Sequence, residues 1–166
     1  MTINVDNIFP VYKPKALPNE QLRFLLETVI TQVPVDLACI YEFNSTTQVL
    51  EPVASEAFGE ITGDAQQQAC RLVSEHILAR LPLNEPQIVA LEVPNPISLQ
   101  SALFFPFPIT DTISGVLSLV SVNPDTYDAT HIERCTTLVS LIRIVLENHH
   151  LYNVLAENLW TAQSIL

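Results

Sequence analysis

Glycine is scarce: Gly59, Gly63 and Gly115 are the only three in 166 residues. A phosphate-cradling loop needs clustered glycines so that backbone N–H groups can converge on the anion, so P-loop and dinucleotide-fingerprint chemistry is excluded. No nucleophile elbow is present either, and hydrolase chemistry finds no support. Positive charge is also scarce. Seven Lys and Arg against eighteen Asp and Glu leave a formal charge of −11. Such a chain does not hold nucleic acid through its phosphates, and an anionic membrane surface is disfavoured for the same reason. The three cysteines, Cys39, Cys70 and Cys135, lie far apart with no CxxC spacing. An odd number without that spacing suggests neither a disulfide framework nor a zinc site. Long apolar runs are missing. The stretch Ala102 to Ile109 is the longest nearly unbroken one, contains two prolines and is too short to span a bilayer. The opening MTINVDNIFPVYKPK lacks the basic start and apolar run of a signal peptide. These absences together lead to the expectation of a cytoplasmic protein with reduced thiols, no metal and no cofactor.

What is present is apolar: 48% hydrophobic residues against 15% charged, the composition of a folded chain of one-domain size. Residues 1–17, with Pro10 and Pro14, read as an extended arm. Leu22, Leu25, Leu26, Val29 and Val33 recur at helical spacing, with Asn19 as expected N-cap and Pro34 as the stop. DLACIYEF and QVLEPVAS read as a hairpin about Asn44-Ser45-Thr46-Thr47, with Pro52 marking an edge or a bulge. Asp64 and Gln67 open a second helix whose stripe is Ala69, Leu72, Val73, His76, Ile77 and Leu81, ended by Pro82. QIVALEV, SALFFPFPI and ISGVLSLVSV read as three more strands. Asp128 then caps a long final helix, with Tyr127 and Ile132 as a hydrophobic staple. Strands joined by short turns favour an antiparallel sheet. The expected fold is therefore α+β: a central antiparallel sheet of about five to six strands, the end helices on one face and the middle helix on the other.

The segment SALFFPFPITDTISGVLSLVSVNPDTYDATHIERCTTLVSLIRIVLENHHLY resembles the second half of a GAF domain. It has a Ser-led strand ending in a Pro-containing step, then a Gly-Val-Leu strand, an aromatic before an Asp-capped helix, and an EN…LY ending at Glu147, Asn148, Leu151 and Tyr152. FLLETVITQVPVDLACIYEFN fits that family's opening helix and hairpin. The resemblance implies a GAF-like domain over 18–152 with a helical extension over 153–166. It also implies a non-catalytic role: a regulatory module that binds a small molecule, or merely dimerises, and passes the change to an output domain such as a kinase or cyclase. The cyclic-nucleotide motif of that family is broken here. Asn123 is followed by Pro124, Tyr127 replaces the Phe, and His131-Ile132 stand where Asp-Glu belongs. Bilin attachment needs a Cys followed by His, and Cys70 precedes Arg71 while Cys135 precedes Thr136. The cysteines read better as buried small hydrophobes than as the low-pKa thiols of a reductase.

Side chains alternate along a strand, so Leu37, Cys39, Tyr41 and Phe43 share one face, as do Ala102, Phe104 and Pro106. Alternation alone leaves open which face lines a pocket. The candidate lining is Cys39, Tyr41, Phe58, Val73, His76, Ile77, Ala102 and Phe104, apolar and aromatic, with Tyr41 and His76 as polar contacts. His76 reads better as a core histidine satisfied by a backbone carbonyl, or one at the stripe's edge. His149 and His150 are adjacent and point apart, so they do not form the i, i+4 pair a metal wants. Finally, Leu141, Val145, Asn148, Tyr152, Leu155, Leu159, Ala162 and Leu166 alternate by fours and threes. That heptad seam runs on past the body of a small domain and predicts a parallel homodimer. The chain is expected to be a piece of a larger sensor or a stand-alone dimeric module.

Overall fold

The computed structural model describes residues 18–59, 61, 63–92 and 97–165, with side chains as far as 163. The expected arm over 1–17 and the seam position Leu166 lie outside the described residues.

Helix α1 (Asn19–Val29) buries Leu22, Leu25, Leu26 and Val29, the stripe the spacing predicts. Asn19 does not cap it. The cap is Pro18, whose carbonyl accepts from Leu22 N–H at 3.0 Å, and no side chain satisfies the first turn. Strands β1 (Leu37–Asn44) and β2 (Val49–Ala57) form the expected hairpin. The Asn44 carboxamide oxygen accepts from the N–H of Thr46 and Thr47 at 2.9 and 3.3 Å, which closes the turn. Pro52 meets both of its expectations, since β2 is an edge strand and its register slips beside it: Tyr41 pairs with Pro52 but Ile40 with Ala54, leaving Val53 as the extra residue.

Helix α2 (Gly63–Leu78) follows, then β3 (Gln87–Ala90), β4 (Ser101–Pro108), β5 (Ile113–Ser121) and α3 (Ala129–Ile165). β3 is shorter than QIVALEV predicts, although Leu91 N–H still reaches Gln100 O at 2.9 Å. Its last partner along β4 is Phe104, so Pro106 and Pro108 stand where β4 has no neighbour on that side and needs no ladder donor. The described strands make one antiparallel sheet in the order β2-β1-β5-β4-β3.

Two apolar layers enclose the sheet. Ala38, Ile40, Leu103, Leu117 and Leu119 meet α1 and the first half of α3 on one face. Leu37, Cys39, Tyr41, Ala102, Phe104, Val116 and Val120 meet α2 on the other. The expected distribution of helices is the observed one. The start of α3 is fixed as predicted: Asp128 Oδ1 accepts from Thr130 and His131 N–H at 2.9 and 3.3 Å. His131 Nδ1 returns the favour by accepting from Asp128 N–H at 3.0 Å, completing a capping box with an imidazole in the place of Glu. Tyr127 and Ile132 pack against the same cluster as the expected staple.

Candidate functional site

Six of the eight proposed lining residues come together. Cys39, Tyr41, Val73, Ile77, Ala102 and Phe104 all belong to the layer between the sheet and α2, and all are buried. Phe58 does not join them. It follows the end of β2, where strand alternation no longer applies, and packs with the α1/α3 layer on the opposite face. His76 is half-buried, and its carbonyl accepts from Arg80.

Within this layer the sheet carries a polar row. Ser55, Cys39, Ser118 and Phe104 are successive cross-strand partners on β2, β1, β5 and β4. Cys70 of α2 completes the cluster. Tyr41 Oη donates to Cys70 O at 2.6 Å, pinning that turn of α2 to β1. Gln66 Nε2, one turn earlier on α2, donates to Ser55 Oγ at 2.8 Å. Ser118 Oγ is fully buried with no hydrogen-bond partner, a rare condition for a hydroxyl. The two thiols of the cluster differ in electrostatics. The Cys39 thiol donates to Ile40 O at 3.8 Å. Its proximity holds the Cys70 pKa below the ordinary thiol value; burial opposes this, and the Ser55 and Tyr41 hydroxyls assist it. Burial pushes Cys39 itself well up, and pushes the Tyr41 phenol up as well. Cys135, in the other layer, is raised to about 11 by burial alone. Sequence reading missed Ser55, Gln66 and Ser118. Counted back from the turn, Cys39 pairs with Ala54, and only the bulge at Val53 brings Ser55 opposite it.

The second candidate region is the departure of α3. Its fully buried residues end at Leu146. His150 Nε2 then meets Glu42 Oε1 at 3.0 Å and Oε2 at 3.1 Å, tying α3 to β1. Of the predicted seam, Leu141, Tyr152, Leu155 and Leu159 are exposed, Asn148 is exposed, and Val145 is half-buried against the α1/α3 layer. Ile144, Leu151, Val154 and Trp160 widen the apolar surface. A groove of about 600 Å³ between α1 and α3, lined by Phe24, Leu141, Ile144, Val145 and Asn148 among others, continues it. A smaller cleft of about 400 Å³ lies between α1, β2 and α2, lined by Asn19, Arg23, Val53, Ala54, Ser55, Glu56 and Gln66. Among the described residues no His, Cys, Asp and Glu group could hold a metal ion, and no helix is long and apolar enough to cross a membrane.

No family model and no curated protein matches the chain. Solved structures do. The GAF domain of a protein described as a sensor histidine kinase of Pseudomonas syringae pv. tomato is 23% identical, with a TM-score of 0.60 over 86% of this chain and 83% of that one. The GAF domain of a two-component sensor histidine kinase of Bacillus halodurans is 12% identical, with a TM-score of 0.55 over 83% of this chain and 99% of that one. A GAF domain/HD domain protein of Geobacter sulfurreducens is 13% identical, with a TM-score of 0.54 over 90% and 99%. At these identities the likeness is one of fold, and the fold of this chain is that of a GAF domain.

Proposed function

We propose that this chain is a non-catalytic sensory and regulatory domain that forms a parallel homodimer through α3 and signals along that helix to an output domain. The observation that carries this reading is α3 itself. A helix of 37 residues rises roughly 55 Å, far beyond a small sheet, and it keeps an exposed apolar stripe beyond His150. Leu155 and Leu159, 62% and 55% exposed, belong to a surface larger than a soluble monomer ordinarily leaves in water. Further support comes from the fold, shared with domains of sensor kinases. Sedimentation velocity on the described domain should show a dimer at micromolar concentration. A monomer at high micromolar concentration overturns the reading.

The domain's input is proposed to be a small apolar molecule between the sheet and α2. One observation favours a second reading, a ligand-free dimerisation module. Tyr41, Val73, Ile77, Ala102 and Phe104 are each fully buried by one another and their neighbours, so a ligand has to displace packed side chains to enter. A thermal-shift screen separates the two. A ligand at a hundred times its dissociation constant adds about 2.7 kcal/mol, whereas a packed core returns no hit.

A further inference from the structure

We propose that the cleft at the outer edge of β2 binds a small zwitterion of the α-amino-acid class, its carboxylate held by Arg23 and Asn19 and its ammonium by Glu56 and Gln66. The site is separate from the apolar layer between the sheet and α2, and it stands whether or not a ligand enters that layer.

Topology makes the cleft. Helices α1 and α2 cover opposite faces of the sheet and both line it, so it runs around the sheet's edge. The strand at that edge is β2, and among the described residues no strand pairs with its outer side. An edge strand leaves backbone N–H and C=O groups on that side without a ladder. The bulge at Val53 then sets the side chains. Beyond it Ala54 and Glu56 turn toward α1, and Ser55 turns toward α2. Bulges often re-aim side chains in this way beside binding sites. Here the result is a hydroxyl, a carboxylate and two small apolar groups along one hollow. At about 400 Å³ it lies at the small end of ligand sites, which run from roughly 300 to 1,000 Å³.

The charges of the cleft select the ligand. Arg23 Nε lies 2.6 Å from Glu56 Oε1 and 3.7 Å from Glu27 Oε1. A guanidinium has five N–H donors in a fork, so the two Nη groups remain for a carboxylate. The Arg23 side chain is 68% exposed and within reach of a solute, whereas that of Glu56 is only 17% exposed and its charge is weakly screened. Gln66 Nε2 donates to Ser55 Oγ at 2.8 Å, which fixes the amide and leaves its Oε1 to accept from an ammonium. Asn19 stands one turn before Arg23 on the same face of α1, and it makes no capping bond that would commit its carboxamide to the helix. A lone anion would meet Glu56 and Glu27 as well as Arg23, on a chain of −11. A lone cation would meet Arg23. A zwitterion laid antiparallel to the Arg23–Glu56 pair opposes neither charge. Val53 and Ala54, the apolar part of the lining, suit a short aliphatic side chain. L-alanine is the simplest molecule that meets all of these terms. Bound there, it ties α1 to α2 around the edge, and α1 packs in the same layer as the first half of α3. That consequence rests on the signalling role proposed for α3; the binding does not.

The test titrates the full, unmodified chain by calorimetry with three matched probes: L-alanine, propionate, which lacks the ammonium, and ethylamine, which lacks the carboxylate. L-alanine should bind saturably with a millimolar or tighter dissociation constant, and each stripped probe should bind about ten- to hundredfold more weakly, the loss of one charge-assisted contact. No saturable binding of L-alanine overturns the proposal, and so does propionate or ethylamine binding as tightly as L-alanine. Amide shifts of the nitrogen-15-labelled chain locate the site without any variant. They should move at Asn19, Arg23, Gln66 and the segment from Val53 to Glu56. Movement confined to Tyr41, Val73 and Phe104 places the molecule in the apolar layer and overturns the assignment. Arg23→Met should weaken L-alanine binding at least about tenfold with circular dichroism unchanged, since this side chain is largely exposed. Undiminished affinity in Arg23→Met overturns the role of the guanidinium and the proposal with it.

Discussion

His150 and Glu42 meet at the point where α3 leaves the sheet, and both side chains are less than a quarter exposed. The hydrogen bond to Glu42 raises the imidazole pKa above its ordinary 6.5, against an opposing effect of burial. A raised folded-state pKa stabilises the fold fully below about pH 6.5, and the contribution is lost as the pH climbs through the raised value. Unfolding free energy should therefore fall by about 1 kcal/mol more in the parent than in His150→Gln between about pH 6 and about pH 8.5. Glu51 shares the cleft beside the pair, and the His149 ring centroid stands 5.3 Å from that of His150, so the comparison of the two chains is what isolates His150. Parallel pH profiles for the two proteins would discard this tie. A second position is decided by space. Gly115 lies opposite Phe107 in the β5/β4 ladder, and a Cβ there would strike the Phe107 ring. Phe107 is buried and has little room to yield, so Gly115→Ala should cost about 1–3 kcal/mol in chemical denaturation. A change within 0.5 kcal/mol, roughly the noise of neutral surface substitutions, would show that the ring swings aside.

At the scale of elements, α3 carries two apolar stripes. Cys135, Leu138, Val139, Ile142 and Leu146 face the sheet, and Leu141, Tyr152, Leu155 and Leu159 face water in the single chain. Leu155→Glu with Leu159→Glu leaves the inward stripe intact, so the double variant should keep its circular dichroism and run as a monomer. Burial of each such leucine is worth roughly 1.5–3 kcal/mol, enough for two of them to decide association. A variant that remains dimeric moves the interface elsewhere, with the α1/α3 groove around Phe24 the next place to look. Periodicity made these elements legible: every stripe that spacing predicted on α1 is buried, and Pro52 announced both the edge and the bulge. What spacing does not encode is register. The extra residue at Val53 shifts the hairpin and puts Ser55, not Ala54, beside Cys39, so the polar row around the thiols was not readable. The same holds for Phe58, which lies past the last paired residue of β2, and for Glu42 and His150, whose meeting depends on how α3 crosses the sheet.

For the whole molecule, charge opposes the proposed assembly while apolar burial drives it. Each copy carries −11. From Leu151 to Ile165, Glu157 is the one charged residue, so repulsion between two copies arises mainly from the bodies that parallel helices bring side by side. Repulsion across such distances is screened by salt: the Debye length falls from about 10 Å at 0.1 M to about 3 Å at 1 M, and apolar contacts do not weaken over that range. The dimer should therefore tighten as sodium chloride rises from about 0.05 M to about 0.5 M, with the sedimentation-equilibrium dissociation constant dropping severalfold. Ion pairing predicts the opposite slope. Arg134 and Arg143 on α3 are the cations such pairing would use, and Arg143 already lies 3.5 Å from Glu147 of its own helix. A dissociation constant that rises with salt would mean that charged contacts between copies hold the dimer, and the apolar seam along α3 would lose its role as the signalling contact.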